Sequence, residues 1–127
     1  MINFIVGPKG SGKTKKLIKL VNEAADISLG NVVCIEKTPN LAGNISRKVR
    51  LVEAEDFDIN NCDKLEGFIK GMIAGNYDIT DIFVDQTLKI VGENLDELSE
   101  LLKRLKSLSE KYDVNICLSL SVISMQD

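Results

Sequence analysis

The 127-residue chain is 44% apolar and 28% charged, with a net charge of −3 and a pI near 5. That size fits one domain around one core, residues 1–127, and the acidic balance leaves no electrostatic footprint for nucleic acid, so none is expected as a partner. No histidine is present, which excludes His-based triads, His metal sites and imidazole proton shuttles. The three cysteines, Cys34, Cys62 and Cys117, lack metal-ligand spacing, and Cys34 and Cys117 sit inside apolar runs, as core thiols of a reducing, cytoplasmic compartment do. No apolar run reaches membrane-spanning length and no signal-like segment opens the chain, so no membrane partner is expected.

In chain order, Ile2, Phe4, Ile5 and Val6 predict a short strand, and Leu17, Leu20, Val21 and Ala24 predict a helix with one apolar face. Between them lies Gly7-Pro8-Lys9-Gly10-Ser11-Gly12-Lys13-Thr14, and the lysines at 9, 13, 15, 16 and 19 cluster around it. Gly30-Asn31 turns the chain into a second strand, Asn31 to Glu36, whose near-continuous apolar character suits a parallel strand covered on both faces. Lys48 to Glu53 reads as a short edge strand. Asn61 or Asp63 can cap a helix from about Asp63 to Gly75. Ile79 to Asp85 is a strand that terminates in an aspartate. Asn94 to Tyr112 predicts the longest helix, with Leu95, Leu98, Leu102, Leu105 and Leu108 as its core stripe and Leu101 widening it. Val114 to Val122 is the last strand, followed by a polar end. Strands alternating with helices indicate an α/β three-layer sandwich on a mostly parallel five-stranded sheet, with any ligand beyond the carboxyl ends of the strands.

The loop carries the chemistry. Backbone N–H groups can wrap a phosphate chain only where side chains do not obstruct and positive φ is accessible, which places Gly7, Gly10 and Gly12 where the backbone meets the ligand. The helix opening near Lys13 points its positive end at the same anion. In this G-x-x-x-x-G-K-T pattern, Lys13 reaches the β- and γ-phosphates and the Thr14 hydroxyl ligates Mg²⁺. Gly7, Pro8, Lys9, Gly10, Ser11, Gly12, Lys13 and Thr14 are therefore the candidate nucleotide-binding residues.

With Ile82-Phe83-Val84-Asp85, which is similar to a Walker B motif, the chain resembles the P-loop NTPase superfamily. The element order is more like its RecA-like branch, including type II thymidine kinases, than like GTPases, whose N-K-x-D pattern is absent. It also resembles small bacterial P-loop ATP-binding proteins. The resemblance implies a minimal P-loop fold binding ATP with Mg²⁺, with Thr14 and Asp85 at the metal. It implies a catalytic glutamate at Glu36, at the end of the second strand. Gln86, after the aspartate, can orient water but cannot accept its proton. Ser119 or Ser121 on the last strand stands where relatives carry a polar sensor near the γ-phosphate; a structural hydrogen bond is the alternative. Arg47, Arg50 and Arg104 are the only arginines and none sits in a finger motif, so a partner or second copy is expected to supply transition-state charge. The implied activity is slow Mg-dependent ATP hydrolysis, with a small-molecule kinase or a non-hydrolysing regulatory module as alternatives.

In the RecA-like order the last strand lies between the first strand and the Ile79 to Asp85 strand, leaving Ile2 to Val6 at an edge. Such an edge is a pairing hazard, so the chain's own tail or a second copy is expected to cover it, the latter giving a homodimer.

Overall fold

A computed structural model describes residues 1–122. Its elements are β1 (Ile2–Pro8), α1 (Lys13–Ile27), β2 (Asn31–Glu36), β3 (Val49–Glu53), a 3-10 turn (Ala54–Phe57), α2 (Cys62–Gly75), β4 (Ile79–Val84), α3 (Thr87–Val91), α4 (Leu95–Tyr112) and β5 (Asn115–Val122). The five strands form one sheet in the order β1-β5-β4-β2-β3, every neighbouring pair parallel. This is the predicted order, and the sheet is wholly rather than mostly parallel.

Three layers follow from the side chains. Leu17, Val21, Ala24 and Ala25 of α1 pack on the face that carries Ile5, Val32, Cys34, Phe83 and Cys117. Leu65, Ile69 and Ile73 of α2, Ile90 of α3, and Leu98, Leu101 and Leu105 of α4 cover the opposite face, which carries Val33, Ile35, Ile82, Val84, Ile116 and Leu118. Alternate residues of β2, β4 and β5 thus point into two different cores, which is why their sequences are continuously apolar. Burial pushes the Cys117 thiol up to about 11 and Cys34 higher still, so both are un-ionised packing groups. Among the described residues no helix is long and apolar enough to cross a membrane.

Caps set the helix limits. The Asn61 side chain accepts from the Lys64 amide at 2.8 Å to open α2, and Asn94 accepts from the Glu97 amide at 3.1 Å to open α4. The stripe of α4 is corrected at one point, for Leu95 is 69% exposed whereas Leu101 is 1% exposed. Leu95 is the first helical residue and stays exposed, so the buried series starts at Leu98. Helix α3 was not anticipated from sequence, because five residues are too short to display a period.

β1 does lie at an edge, with Phe4 and Val6 exposed. The tail after Val122, expected as one possible cover for that edge, falls outside the described residues.

Leu105→Ala is expected to cost about 2–5 kcal/mol in chemical denaturation, the range for emptying a buried leucine site, whereas Leu95→Ala stays within about 0.5 kcal/mol of the parent. Equal losses at the two positions would contradict the corrected stripe.

Candidate functional site

The carboxyl ends of the parallel strands bring together the residues between β1 and α1 and those after β4. β1 runs to Pro8, and α1 begins at Lys13 with Gly12 as its N-cap at φ 88. Gly10 has φ 81, and both left-handed glycines open onto free space, so no side chain stands over the loop. At Gly7 a Cβ would fall 2.6 Å from Ser11 Oγ, so the exposed serine hydroxyl would have to turn away to admit a side chain. The Ser11 amide donates to the Pro8 carbonyl at 3.1 Å and closes the turn. No side chain caps α1, so its leading amides and the positive end of its dipole face the loop. The Lys13 ammonium folds back and donates to the Pro8 carbonyl at 2.8 Å.

Asp85 is 3% exposed and receives two hydroxyl hydrogen bonds on Oδ1. Thr14 Oγ1 donates at 3.2 Å and Ser119 Oγ at 3.3 Å. Ser119 in turn accepts from the Gln86 amide at 2.7 Å. The contact from Thr14 spans 71 residues of sequence and joins the glycine-rich loop to the end of β4. Burial pushes the Asp85 carboxyl above its ordinary value, partly offset by the Thr14 and Ser119 hydroxyls, the Gln86 amide and the Lys89 charge. Thr14, Asp85, Ser119 and the Gln86 amide thus form one connected hydrogen-bonded group.

Gln86 holds a left-handed backbone (φ 49, ψ 55), uncommon for a residue with a side chain, and caps α3. That turn stops β4 at Val84 and sends the chain away over β5. Ser119 is fully buried and its hydroxyl donates to Asp85, a hydrogen bond that either role raised from the sequence accommodates. Ser121, further along β5, is half-buried.

Glu36 lies at the carboxyl end of β2, one register step past the Ile35–Val84 pair and so alongside Asp85. It does not point into the open. At 2% exposure, its Oε1 accepts from the Asn40 amide at 2.9 Å and the Leu41 amide at 3.1 Å, pinning the turn after β2. Its Oε2 is buried without a hydrogen-bond partner. Burial raises the Glu36 carboxyl above its ordinary value against those two amide bonds, and the charges of Glu53 and Asp85 raise it further.

All three arginines lie elsewhere. Arg47 lies in the turn before β3, Arg50 is its second residue, and Arg104 on α4 bonds Glu66, so none is beside the loop. Sequence reasoning missed Lys89, whose position on α3 brings its charge to bear on Asp85. Without α3 in view, nothing marked that lysine out from the others. Among the described residues no group of three or more Cys, Asp or Glu side chains is placed to hold a metal by itself. Neither the family models nor the curated proteins give a match to this chain, so the functional reading rests on the site.

The raised Asp85 carboxyl has a consequence for stability. Between the unfolded value of about 3.9 and the higher folded value, the folded protein retains a proton that the unfolded chain has lost. Stability from this group is therefore complete at low pH, falls as pH rises through that window, and stays reduced above it. Asp85→Asn, which keeps an acceptor oxygen without the charge, should melt higher than the parent at pH 7 and converge with it below about pH 4. A parent protein that is the more stable at neutral pH would contradict the raised value.

Proposed function

We propose that this chain is a P-loop domain that binds ATP with Mg²⁺ and hydrolyses it slowly. One observation carries the reading: Thr14 and Asp85, far apart in sequence, meet at 3.2 Å beside a loop shaped by Gly7, Gly10 and Gly12. A chance glycine turn has no reason to present its threonine to a buried strand-end carboxylate.

The donor set fits Mg²⁺. A hydroxyl and a carboxylate oxygen are hard ligands, and Mg²⁺ typically takes one or two protein oxygens and fills its remaining positions with phosphate oxygens and water. When bound, the ion neutralises charge that develops on the phosphoryl oxygens. The chain's own groups do the rest. Loop amides and the α1 N-terminus receive the phosphates, and Lys13 exchanges the Pro8 carbonyl for a phosphate oxygen. Ser119 and the Gln86 amide hold Asp85 in one orientation.

Glu36 is the proton acceptor in this reading. Its Oε1 is anchored, its Oε2 has a free acceptor site, and a raised carboxyl is a better base near neutral pH than an ordinary one. Gln86 orients the attacking water. Turnover is slow because burial obstructs access of water to Oε2 and because no arginine stands near the loop. The charge comes from a partner or from a second copy whose β1 edge pairs with this one, giving a homodimer.

The burial of Glu36 also favours a second reading, a nucleotide-dependent regulatory module without useful turnover. The small-molecule kinase reading draws no comparable observation.

Calorimetric titration tests the binding. Lys13→Ala should fold normally and lose at least about tenfold in Mg-ATP affinity, since it forfeits a charge-assisted phosphate contact. Unchanged affinity in the folded variant would end the P-loop assignment.

Phosphate release tests the chemistry. Turnover should rise with pH as Glu36 loses its proton, and Glu36→Gln should lower it at least about tenfold and flatten that rise. Parental turnover in Glu36→Gln removes Glu36 as the base, while ATP binding without measurable release in either protein selects the regulatory module.

A further inference from the structure

At the opposite end of the sheet, residues of α2 and α4 line a cavity of about 880 Å³ that the nucleotide reading does not use. It opens near Ile79, the first residue of β4, and Val114, just before β5, whereas Thr14 and Asp85 lie at the far ends of the strands. Six strand residues put the two regions roughly 20 Å apart.

The cavity reverses the sign of the molecule. In a chain of net charge −3, its walls present Lys70, Lys103, Arg104 and Lys111 against a single lining carboxylate, Glu66, with Lys103 also 3.7 Å from Glu100 outside the cavity. Glu66 is 8% exposed and spends its two oxygens on two of those cations. Lys70 Nζ lies 2.7 Å from Oε2 and Arg104 Nη1 lies 3.4 Å from Oε1, while both cationic side chains remain more than half exposed. Burial alone would raise the Glu66 carboxyl, but the hydrogen bonds and charges of Lys70 and Arg104 outweigh it and hold the group below its ordinary value. A buried, ionised carboxylate thus fixes one cation from each helix on the cavity wall.

Both tyrosines of the chain, which has no tryptophan, line the same cavity. Tyr77 is 99% exposed, and Lys111 Nζ lies 5.3 Å from the centre of the half-exposed Tyr112 ring. Ile73, Leu108 and Val114 add apolar surface to the walls. Fixed cations, an exposed ring at Tyr77, a half-exposed ring at Tyr112 that already carries a cation, and apolar surface are what a phosphate joined to a planar base requires. An acidic peptide would use the cations and leave the ring faces idle. The volume lies within the range of small-ligand sites, and the acidic remainder of the chain gives a longer polyanion nothing to follow.

We propose that the α2–α4 groove is a second ligand site that takes a nucleotide unit, with its phosphate on Lys70 and Arg104 and its base against Tyr77 and Tyr112. The unit comes either as a free mononucleotide or within a short single strand.

Full-length protein labelled with 3-fluorotyrosine gives one ¹⁹F signal per tyrosine, and both report on this groove alone. Thymidine monophosphate or a four-residue thymidine oligonucleotide should move both signals saturably, and inorganic phosphate at equal concentration should not. Comparable affinities for the two probes identify the free nucleotide as the source, and an oligonucleotide at least about tenfold tighter identifies the strand. Arg104→Gln with Lys111→Gln, both at exposed positions, should weaken binding at least about tenfold, while Lys13→Ala leaves it unchanged. The proposal is overturned if neither probe moves the signals, if inorganic phosphate competes as well as the nucleotide, or if the double variant binds like the parent. It is equally overturned if Lys13→Ala abolishes the shifts, since the nucleotide is then held at the loop.

Discussion

Asp85 is the point on which the arrangement depends. A carboxylate that is 3% exposed persists only if the surrounding structure supplies hydrogen bonds in place of water, and here the donors come from two separated parts of the chain. Thr14 can reach it only because α1 starts at Lys13, and α1 starts there because glycines at 10 and 12 turn the loop. Ser119 can reach it only because β5 lies next to β4. The sheet order and the glycine pattern are therefore two requirements of one hydrogen-bonded group.

That group is costly to maintain. Both Asp85 and Glu36 have carboxyls raised by burial, and the Glu36 Oε2 carries no partner. Buried acceptors of this kind lower stability relative to apolar packing, and the rest of the fold offsets the loss with two cores, one on each sheet face. Catalytic and binding sites commonly store such unfavourable arrangements. The left-handed backbone of Gln86, next to Asp85, belongs to the same pattern.

Most of the scaffold was legible in the sequence because its signals are local. Apolar runs bounded by Gly30-Asn31 or Gly75-Asn76 mark the strands and helices; of the two cap candidates Asn61 and Asp63 the structure uses Asn61, and Asn94, read as the first residue of the longest helix, is its cap. The sheet order was legible only through the resemblance to RecA-like proteins, since no local signal says which strands pair. Four features stayed hidden for physical reasons. Helix α3 is shorter than two turns and shows no period. The exposure of Leu95 depends on how the first turn of α4 packs, which the spacing of the leucines does not encode. The two faces of Glu36, one oxygen capping a turn and the other unpartnered, depend on how the Lys37 to Leu41 segment folds back, and that is a tertiary property. The α2–α4 groove is likewise invisible in one dimension, because Lys70 and Tyr77 belong to one helix region and Arg104 and Tyr112 to another.

The central claim is that the Gly7–Thr14 loop and Asp85 form one nucleotide site. Backbone amide shift mapping with Mg²⁺ and a non-hydrolysable ATP analogue tests it most directly. The account predicts the largest shifts at Gly10 to Lys15, together with Asp85 and Gln86, and attenuation of the Asp85 response when Mg²⁺ is withheld. Shifts confined to another surface, or a loop response in which Asp85 and Gln86 take no part, would contradict it.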